Sequence, residues 1–132
     1  MAGYSGTPLW KKLGLKDGMT CAVHNAPEGY ETLLGAAPDV VWGQLAEGTT
    51  FVHLFVTEAT VLSAELQNAL QLIDRNGMIW VSWPKRTSKV PTDITEDTIR
   101  SICLPMGLVD VKVCAVDATW SGLKLMIRKE LR

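Results

Sequence analysis

Polar, aromatic and charged side chains lie at or shortly after the ends of three strand-like segments of the sequence. For the segments at 19–24, 51–56 and 77–83 they are, in that order, Asn25, Glu28 and Gly29, then Thr57 and Glu58, then Trp83, Lys85 and Arg86. If the three strands are parallel, these residues meet at the carboxyl edge of one sheet, where open α/β sheets place their ligands. A tryptophan beside lysine and arginine suits an anionic or nucleotide-like small molecule. An ordinary solvated loop also collects such residues, so that alternative stays open.

Histidine and cysteine residues do not form a recognisable metal motif. His24 ends the first strand-like segment, His53 lies inside the run at 51–56, and neither has the spacing of a zinc ligand. We therefore predict no metal, and at His53 a hydrogen-bonded core histidine. His24 borders the expected crevice, but the sequence places no carboxylate beside it to support a general-base role. The three cysteines, an odd number without a CxxC pair, predict reduced and mostly buried thiols.

Composition limits the class of protein. The chain has 132 residues, 47% of them hydrophobic and 20% charged, with a formal net charge of −1. These values predict a single domain spanning residues 1–132 and exclude a disordered chain or a basic nucleic-acid binder. We expect no nucleic-acid partner and no membrane association, because no apolar stretch approaches the roughly 20 residues of a membrane-spanning helix. No secretory signal is visible, so we expect a cytoplasmic protein.

The elements that must position these residues alternate between strand and helix. Residues 3–6 are loop-like, Thr7 and Pro8 are typical of a helix start, and Thr57 can cap a helix that Asn76 and Gly77 end. The complete prediction is helix 9–13, strand 19–24, helix 28–34, strand 40–42, strand 51–56, helix 58–75, strand 77–83, a helix with Ile99, Ile102 and Cys103 on its inner face, strand 109–115 and strand 123–128. Thr92, Asp93 or Thr95 can cap the helix before strand 109–115, and Pro105 and Gly107 end it. In strand 109–115, alternation places Cys114 on the face of Asp110 and Lys112.

This order predicts an α/β fold with a three-layer, Rossmann-like and mainly parallel sheet, closed by an antiparallel C-terminal hairpin. One connection is awkward, because only residues 43–50 separate the short strand near 40–44 from the next one. Parallel neighbours normally need a crossover of about a dozen residues. Either the short strand makes an extended return without a helix, which we favour, or it pairs antiparallel.

The five tryptophans divide by position. Trp10, Trp42 and Trp80 lie in apolar segments and are expected in the core, whereas Trp83 and Trp120 end strands and could be exposed. Exposed aromatics are typical of partner surfaces. We therefore expect a homo-oligomer or a protein partner, with Trp120 and Lys124 as the candidate contact residues.

Several sequence strings resemble known families. FVHLFV at 51–56, NGMIWVSWPK at 76–85 and GLVDVKVCAVD at 107–117 resemble the fourth, fifth and sixth strands of the class I methyltransferase fold. A second resemblance is carried by AGYSGTPL at 2–9, NAPEGY at 25–30, FVHLFV at 51–56, VSWPK at 81–85, PTDITED at 91–97 and VDVKVCAVDATWSGLK at 109–124. On these strings the whole chain is similar to a family of short bacterial proteins filed as a domain of unknown function. This resemblance implies a shortened methyltransferase-like fold in a bacterial cytoplasm.

The sequence departs from the methyltransferase pattern at the cofactor loop. That fold holds S-adenosylmethionine (SAM) with a glycine-rich loop, because glycine lets the backbone approach the ligand closely. Here Ala26, Pro27 and Glu28 occupy the loop, and no acidic residue follows Trp42 to hold the ribose hydroxyls. We therefore expect no cofactor, and SAM in particular is disfavoured.

Three functions follow, and the first is favoured. The chain is expected to be a non-catalytic or weakly catalytic binding or interaction module on a degenerate methyltransferase-like fold. The alternative is a protein or enzyme that binds an anionic or nucleotide-like small molecule in the crevice at the strand ends. A working SAM-dependent methyltransferase is the third.

Overall fold

A six-stranded sheet forms the centre of the computed structural model, which describes residues 7–132. The strands are β1 (Thr20–His24), β2 (Val41–Trp42), β3 (Thr49–Phe55), β4 (Ile73–Pro84), β5 (Leu108–Ala115) and β6 (Trp120–Ile127), and the helices are α1 (Leu9–Leu13), α2 (Tyr30–Leu34), α3 (Ala59–Leu72) and α4 (Glu96–Cys103). Short 3₁₀ turns occupy Arg86–Ser88, Leu104–Met106 and Lys129–Leu131. The loop expected at 3–6 lies outside the described residues.

The strand order is β2-β1-β3-β4-β6-β5. The first four strands in this order are parallel, and β6 is antiparallel to both β4 and β5. Helices α3 and α4 pack on one face of the sheet, and α1 and α2 pack on the other. The structure thus confirms the predicted three-layer, mainly parallel α/β fold with its antiparallel C-terminal hairpin.

Strand β2 settles the awkward connection. It pairs parallel to β1, with Thr20 opposite Val41 and Cys21 opposite Trp42, and residues 43–48 return without a helix. The favoured alternative is confirmed. The strand stays at the sheet edge, where the Trp42 side chain is 41% exposed, so the expectation of a core position for Trp42 is wrong.

The end of α3 was predicted wrongly. The helix stops at Leu72, and β4 begins at Ile73 without a loop, so Asn76 and Gly77 lie inside a strand. Gly77 serves close packing, because a Cβ at this position would lie 2.7 Å from Ile73 Cγ1 and 3.0 Å from the Thr50 carbonyl oxygen. Glycine in a strand often marks such a close approach of backbone segments.

Strand β5 does not keep the predicted alternation. Its register against β6 shifts between Asp110 and Lys112, as in a β-bulge, which adds a residue and turns later side chains to the opposite face. Asp110 therefore bonds Arg100 of α4, whereas Cys114 packs on the opposite face, among the residues of the α1 and α2 layer. The prediction that Cys114 shares a face with Asp110 is wrong.

The three cysteines are free thiols, and Cys21 and Cys103 are buried. Burial raises the pKa of each of these two thiols to about 11. Cys114 is partly buried, and burial raises its pKa more than Lys12 and Lys112 lower it.

None of the helices described within residues 7–132 is both long and apolar enough to cross a membrane.

Candidate functional site

A small cleft of about 210 Å³ lies at the carboxyl ends of β1 and β3. We refer to it as the strand-end cleft, and its lining consists of Asn25, Phe55, Val56, Thr57, Glu58, Val61 and Trp120. Two of the predicted site residues, Asn25 and Thr57, therefore lie together at the edge where an open α/β sheet places its ligands.

Hydrogen bonds fix both sides of this cleft. The Asn25 side-chain amide donates to the carbonyl oxygen of Phe55 at 3.5 Å, which joins the ends of β1 and β3. Asn25 has a φ of 60°, a left-handed conformation that asparagine tolerates better than most residues. On the other side, the Thr57 carbonyl oxygen accepts from the Thr92 hydroxyl at 2.7 Å and from the Asp93 N–H at 3.3 Å.

Thr57 does not cap α3 as predicted. The N-cap residue is Glu58, whose side chain makes no capping bond. The backbone N–H of Ala59 instead donates to Asp93 Oδ1 at 2.8 Å, so the cap comes from the loop before α4. A side chain distant in sequence takes the role that Thr57 was expected to fill.

Residues 25–29 form a bend between β1 and α2, which we call the elbow. Gly29 ends it with a φ of 82°, and a Cβ at Gly29 would meet no atom of the described residues within 4 Å. Gly29 lines a second opening of about 370 Å³ with Val23, Ala26, Pro27, Tyr30, Glu31 and Thr32. Glu28 lines neither this opening nor the strand-end cleft.

The predicted site residues at the end of β4 and just after it lie elsewhere. Trp83 and Arg86 line a cleft of about 480 Å³ against the start of α4, which we call the loop cleft; its other lining residues are Pro84, Lys89, Val90, Pro91, Thr92, Ile94, Thr95 and Glu96. Trp83 is buried at its base, with 7% of its surface exposed, so the expected exposure of this tryptophan is wrong. The Lys85 ammonium donates to the Asp117 carbonyl oxygen at 2.8 Å and lines neither cleft.

The single predicted crevice is therefore divided. Strand β4 runs on to Pro84, which pairs with Trp120 of β6, whereas β3 ends at Phe55, opposite Ser82. Because β4 extends beyond its parallel neighbour, the residues after it belong to the hairpin and to α4. Asn25 and Thr57 share one cleft, and Trp83 and Arg86 share another.

Trp120 and Lys124 occupy different surroundings. The Trp120 ring is partly buried and meets the Phe55 ring edge-on, with ring centroids 5.1 Å apart. Lys124 lies directly opposite Lys112 in the β5–β6 pair. Burial lowers the pKa of Lys124, and the charges of Lys112 and Lys16 lower it further.

The carboxylate that the sequence did not place beside His24 is Glu65 of α3. Its Oε1 lies 3.2 Å from His24 Nδ1, and both side chains are partly buried. Its Oε2 is buried without a hydrogen-bond partner among residues 7–132. Glu65 lies one helical turn after Val61, which lines the strand-end cleft, so the two residues share a face of α3. This helical spacing is the signal in the sequence that could have placed Glu65 near the end of β1.

His53 is the hydrogen-bonded core histidine that the sequence predicted. It is fully buried, its Nδ1 lies 2.8 Å from the Tyr30 hydroxyl, and its Nε2 lies 2.8 Å from the Ser82 hydroxyl. Burial lowers the pKa of His53 to about 3 and raises the pKa of Tyr30 above its usual range.

Among the described residues, no group of three or more His, Cys, Asp or Glu side chains is placed to hold a metal ion.

Comparisons with known proteins identify the fold. No protein-family model matches the sequence, and no curated protein matches it, so the resemblance to a family of short bacterial proteins stays a prediction. Among solved structures, a SAM-dependent methyltransferase from Aquifex aeolicus is similar over 89% of this chain and 86% of its own, with a TM-score of 0.58 and 16% identity. These values establish a methyltransferase-like fold.

Two further structures share this fold and carry SAM. Magnesium protoporphyrin IX methyltransferase (ChlM) from Synechocystis PCC 6803 with bound SAM matches with a TM-score of 0.57 and 13% identity, over 89% of this chain and 73% of its own. LepI in complex with SAM matches with a TM-score of 0.57 and 11% identity, over 92% of this chain. The chain spans only about half of LepI, 47% of its length.

These neighbours correct the cofactor prediction. The sequence predicts no cofactor, but structures of the same fold were solved with SAM bound, so that prediction is wrong. The side chains of Ala26, Pro27 and Glu28 differ from a glycine-rich loop, but the elbow that contains them ends in the left-handed Gly29, whose Cβ position meets no described atom within 4 Å.

Proposed function

We propose that this chain is a binding module on a shortened methyltransferase-like fold, with SAM or a related adenosyl compound as its ligand and little or no methyl transfer of its own. The ligand would lie across the strand-end cleft and the elbow. The observation that carries the proposal is the strand-end cleft itself, which sits at the carboxyl ends of β1 and β3 in a fold whose neighbours hold SAM.

The charge of the strand-end cleft supports a ligand with a positive centre. Its lining includes the carboxylate of Glu58 and the ring of Trp120, and none of the described residues that line it is Lys or Arg. The SAM sulfonium is a cation, and carboxylates and aromatic rings both favour cations. Asn25 and Thr57 add polar groups that can orient a ligand.

A binding role is favoured over catalysis because the strand-end cleft is small. Its volume of about 210 Å³ is below the roughly 300–1,000 Å³ of most small-molecule sites, so a ligand that fills it leaves no room for a second reactant.

Titration calorimetry with SAM and with S-adenosylhomocysteine tests this proposal. We expect heat of binding from SAM. We also expect that adding the purified protein to host extract with radiolabelled SAM transfers no more methyl label than the extract does alone. Glu58→Gln should weaken SAM binding severalfold, whereas Glu47→Gln, in the exposed turn before β3, should not. Absence of binding by the wild type would reject the adenosyl ligand, and label transfer would reject the non-catalytic role.

The loop cleft supports a second candidate, an anionic or nucleotide-like ligand. Its volume of about 480 Å³ falls within the usual range for small-molecule sites, and Arg86 and Lys89 contribute positive charge to its lining. Thermal shift with ATP and pyrophosphate tests it: Arg86→Ala should remove the shift, whereas Lys85→Ala should preserve it. No shift with either compound would reject this candidate.

Association through the C-terminal hairpin is the third part of the proposal. Val111 and Val113 of the edge strand β5 are 48% and 49% exposed, and an uncovered edge strand favours pairing with another chain. Trp120 and Lys124 of the adjacent strand were the predicted contacts. Light scattering on the purified protein tests the association, and a monomer without partners in pull-downs from its host would contradict it.

A further inference from the structure

Three side chains form a continuous hydrogen-bonded chain across the α1 and α2 face of the sheet. The Tyr30 hydroxyl of α2 meets His53 Nδ1 of β3 at 2.8 Å, and His53 Nε2 meets the Ser82 hydroxyl of β4 at 2.8 Å. His53 and Ser82 are fully buried, and Tyr30 is 6% exposed. We refer to these three residues as the hydroxyl–imidazole chain.

The chain is matched in its hydrogen bonding. A neutral imidazole donates from one ring nitrogen and accepts at the other, and a hydroxyl can do either. With His53 neutral, one neighbouring hydroxyl therefore donates to the ring and the other accepts from it. The rings of Phe51 and Phe55 surround His53, and Phe55 stacks on it at 4.2 Å. In these apolar surroundings a lost partner leaves a buried polar atom unpaired, which is costly.

Tyr30 connects this chain to the elbow. It is the first residue of α2 and directly follows Gly29, the last residue of the elbow. Helix α2 has five residues and receives no side-chain cap from residues 7–132, so it is too short to hold its own position. Its place relative to the sheet depends on side-chain contacts, of which the Tyr30 hydroxyl bond is directional and the edge-on ring contacts with Phe55 and Trp42 are not.

We propose that the hydroxyl–imidazole chain holds the elbow in the conformation that binds the ligand, with Tyr30, His53 and Ser82 as positioning residues. The link to a ligand rests on the proposed function; the effect on the elbow itself does not. Ser82 takes part although it is distant from the elbow, because it fixes the orientation of the His53 ring that Tyr30 contacts.

The test uses two variants that remove one hydroxyl each, Tyr30→Phe and Ser82→Ala. Hydrogen exchange of the backbone amides between residues 26 and 34 reports on the elbow, and calorimetry with SAM reports on binding. We expect both variants to speed exchange in the elbow by about tenfold, because each variant loses one buried hydrogen bond. SAM binding should weaken by a similar factor. Exchange in β6 should not change.

Leu108→Ala is the matched control for general loss of stability. Leu108 is fully buried in the core on the α3 and α4 side, on the face opposite the elbow. This variant should lower the unfolding midpoint at least as much as Tyr30→Phe, yet leave elbow exchange and SAM affinity unchanged. A purely structural hydrogen-bonded chain would make all three variants behave alike.

The outcomes separate the two proposals. Faster elbow exchange in both hydroxyl variants, with no SAM binding by the wild type, would support the positioning role and reject the adenosyl ligand. SAM binding by the wild type that both variants retain, with unchanged elbow exchange, would overturn the positioning role. An effect of Tyr30→Phe without one of Ser82→Ala would also overturn it, because the chain would then end at His53.

Discussion

Asp93 Oδ1 accepts a 2.8 Å hydrogen bond from the backbone N–H of Ala59, and this bond caps α3 from a loop that follows β4. The Asp93 N–H in turn donates to the Thr57 carbonyl oxygen at 3.3 Å. The two bonds join the wall of the strand-end cleft to the loop that borders the loop cleft. Asp93 therefore stabilises the region that separates the two candidate sites.

Asp93→Ala should lower the free energy of unfolding by about 1 kcal/mol, the usual cost of losing a helix N-cap. Urea denaturation measures this change. Asp39→Ala, an exposed aspartate between α2 and β2, is the matched control and should change stability by less than about 0.5 kcal/mol. Equal effects of the two substitutions would show that the Asp93 bond does not cap α3.

Gly77 and Gly43 offer a second matched pair. At Gly77 a Cβ would lie 2.7 Å from Ile73 Cγ1 and 3.0 Å from two backbone oxygens, whereas at Gly43 it would meet no part of the described chain within 4 Å. Gly77→Ala should therefore destabilise the protein by about 1–3 kcal/mol, as overpacking does, and Gly43→Ala by much less. Thermal unfolding of both variants tests this, and a stable Gly77→Ala protein would contradict the tight join between α3 and β4.

Trp83 and Trp42 should differ in the sense opposite to the sequence prediction. Trp83 is 7% exposed and belongs with Ile94 to the buried core that lines the loop cleft, whereas Trp42 is 41% exposed at the sheet edge. We expect Trp83→Ala to cost about 3–5 kcal/mol, and Trp42→Ala about 1–2 kcal/mol because less apolar surface is lost. Denaturant midpoints for the two variants compare them directly, and a larger loss at Trp42 would refute the burial described.

Patterns within a segment predicted the fold well. The apolar run at 51–56 and the later run containing Trp80 became the parallel neighbours β3 and β4, as two-sided apolar strands should. Errors arose where the packing of neighbouring segments overrides local preference. Asn76 and Gly77 are typical of a helix end, but Gly77 is needed for its close approach to the Thr50 carbonyl oxygen, which the sequence does not reveal.

The candidate site was only partly predictable for a related reason. Asn25 and Thr57 follow strands that end level with one another, and they share a cleft as expected. Trp83 lies near the end of β4, which extends beyond β3. How far one strand extends beyond its neighbour depends on their register, and a strand that is apolar on both faces does not specify its register by alternation. Register also hid the link from Ser82 to His53, since Ser82 lies opposite Phe55.

Acid should destabilise this protein through His53. Burial lowers the pKa of His53 from the ordinary 6.5 to about 3, and the groups that face the ring from α2 and β4 are the neutral hydroxyls of Tyr30 and Ser82. Above pH 6.5 His53 is neutral in both the folded and the unfolded states, so its contribution to stability is fully present. Between pH 6.5 and pH 3 only the unfolded chain takes up the proton, so this contribution is lost as the pH falls.

The free energy of unfolding should therefore fall by about 1.4 kcal/mol per pH unit from this residue, or about 2 kcal/mol between pH 6.5 and pH 5. Urea denaturation at pH 7, 6 and 5 measures the slope, which His53→Gln should flatten. If His53→Gln does not fold, NMR of the wild-type imidazole decides the matter, because its ring signals should not move between pH 7 and pH 5. A His53 ring that titrates in this range would show that a proton reaches the hydroxyl–imidazole chain in the folded protein.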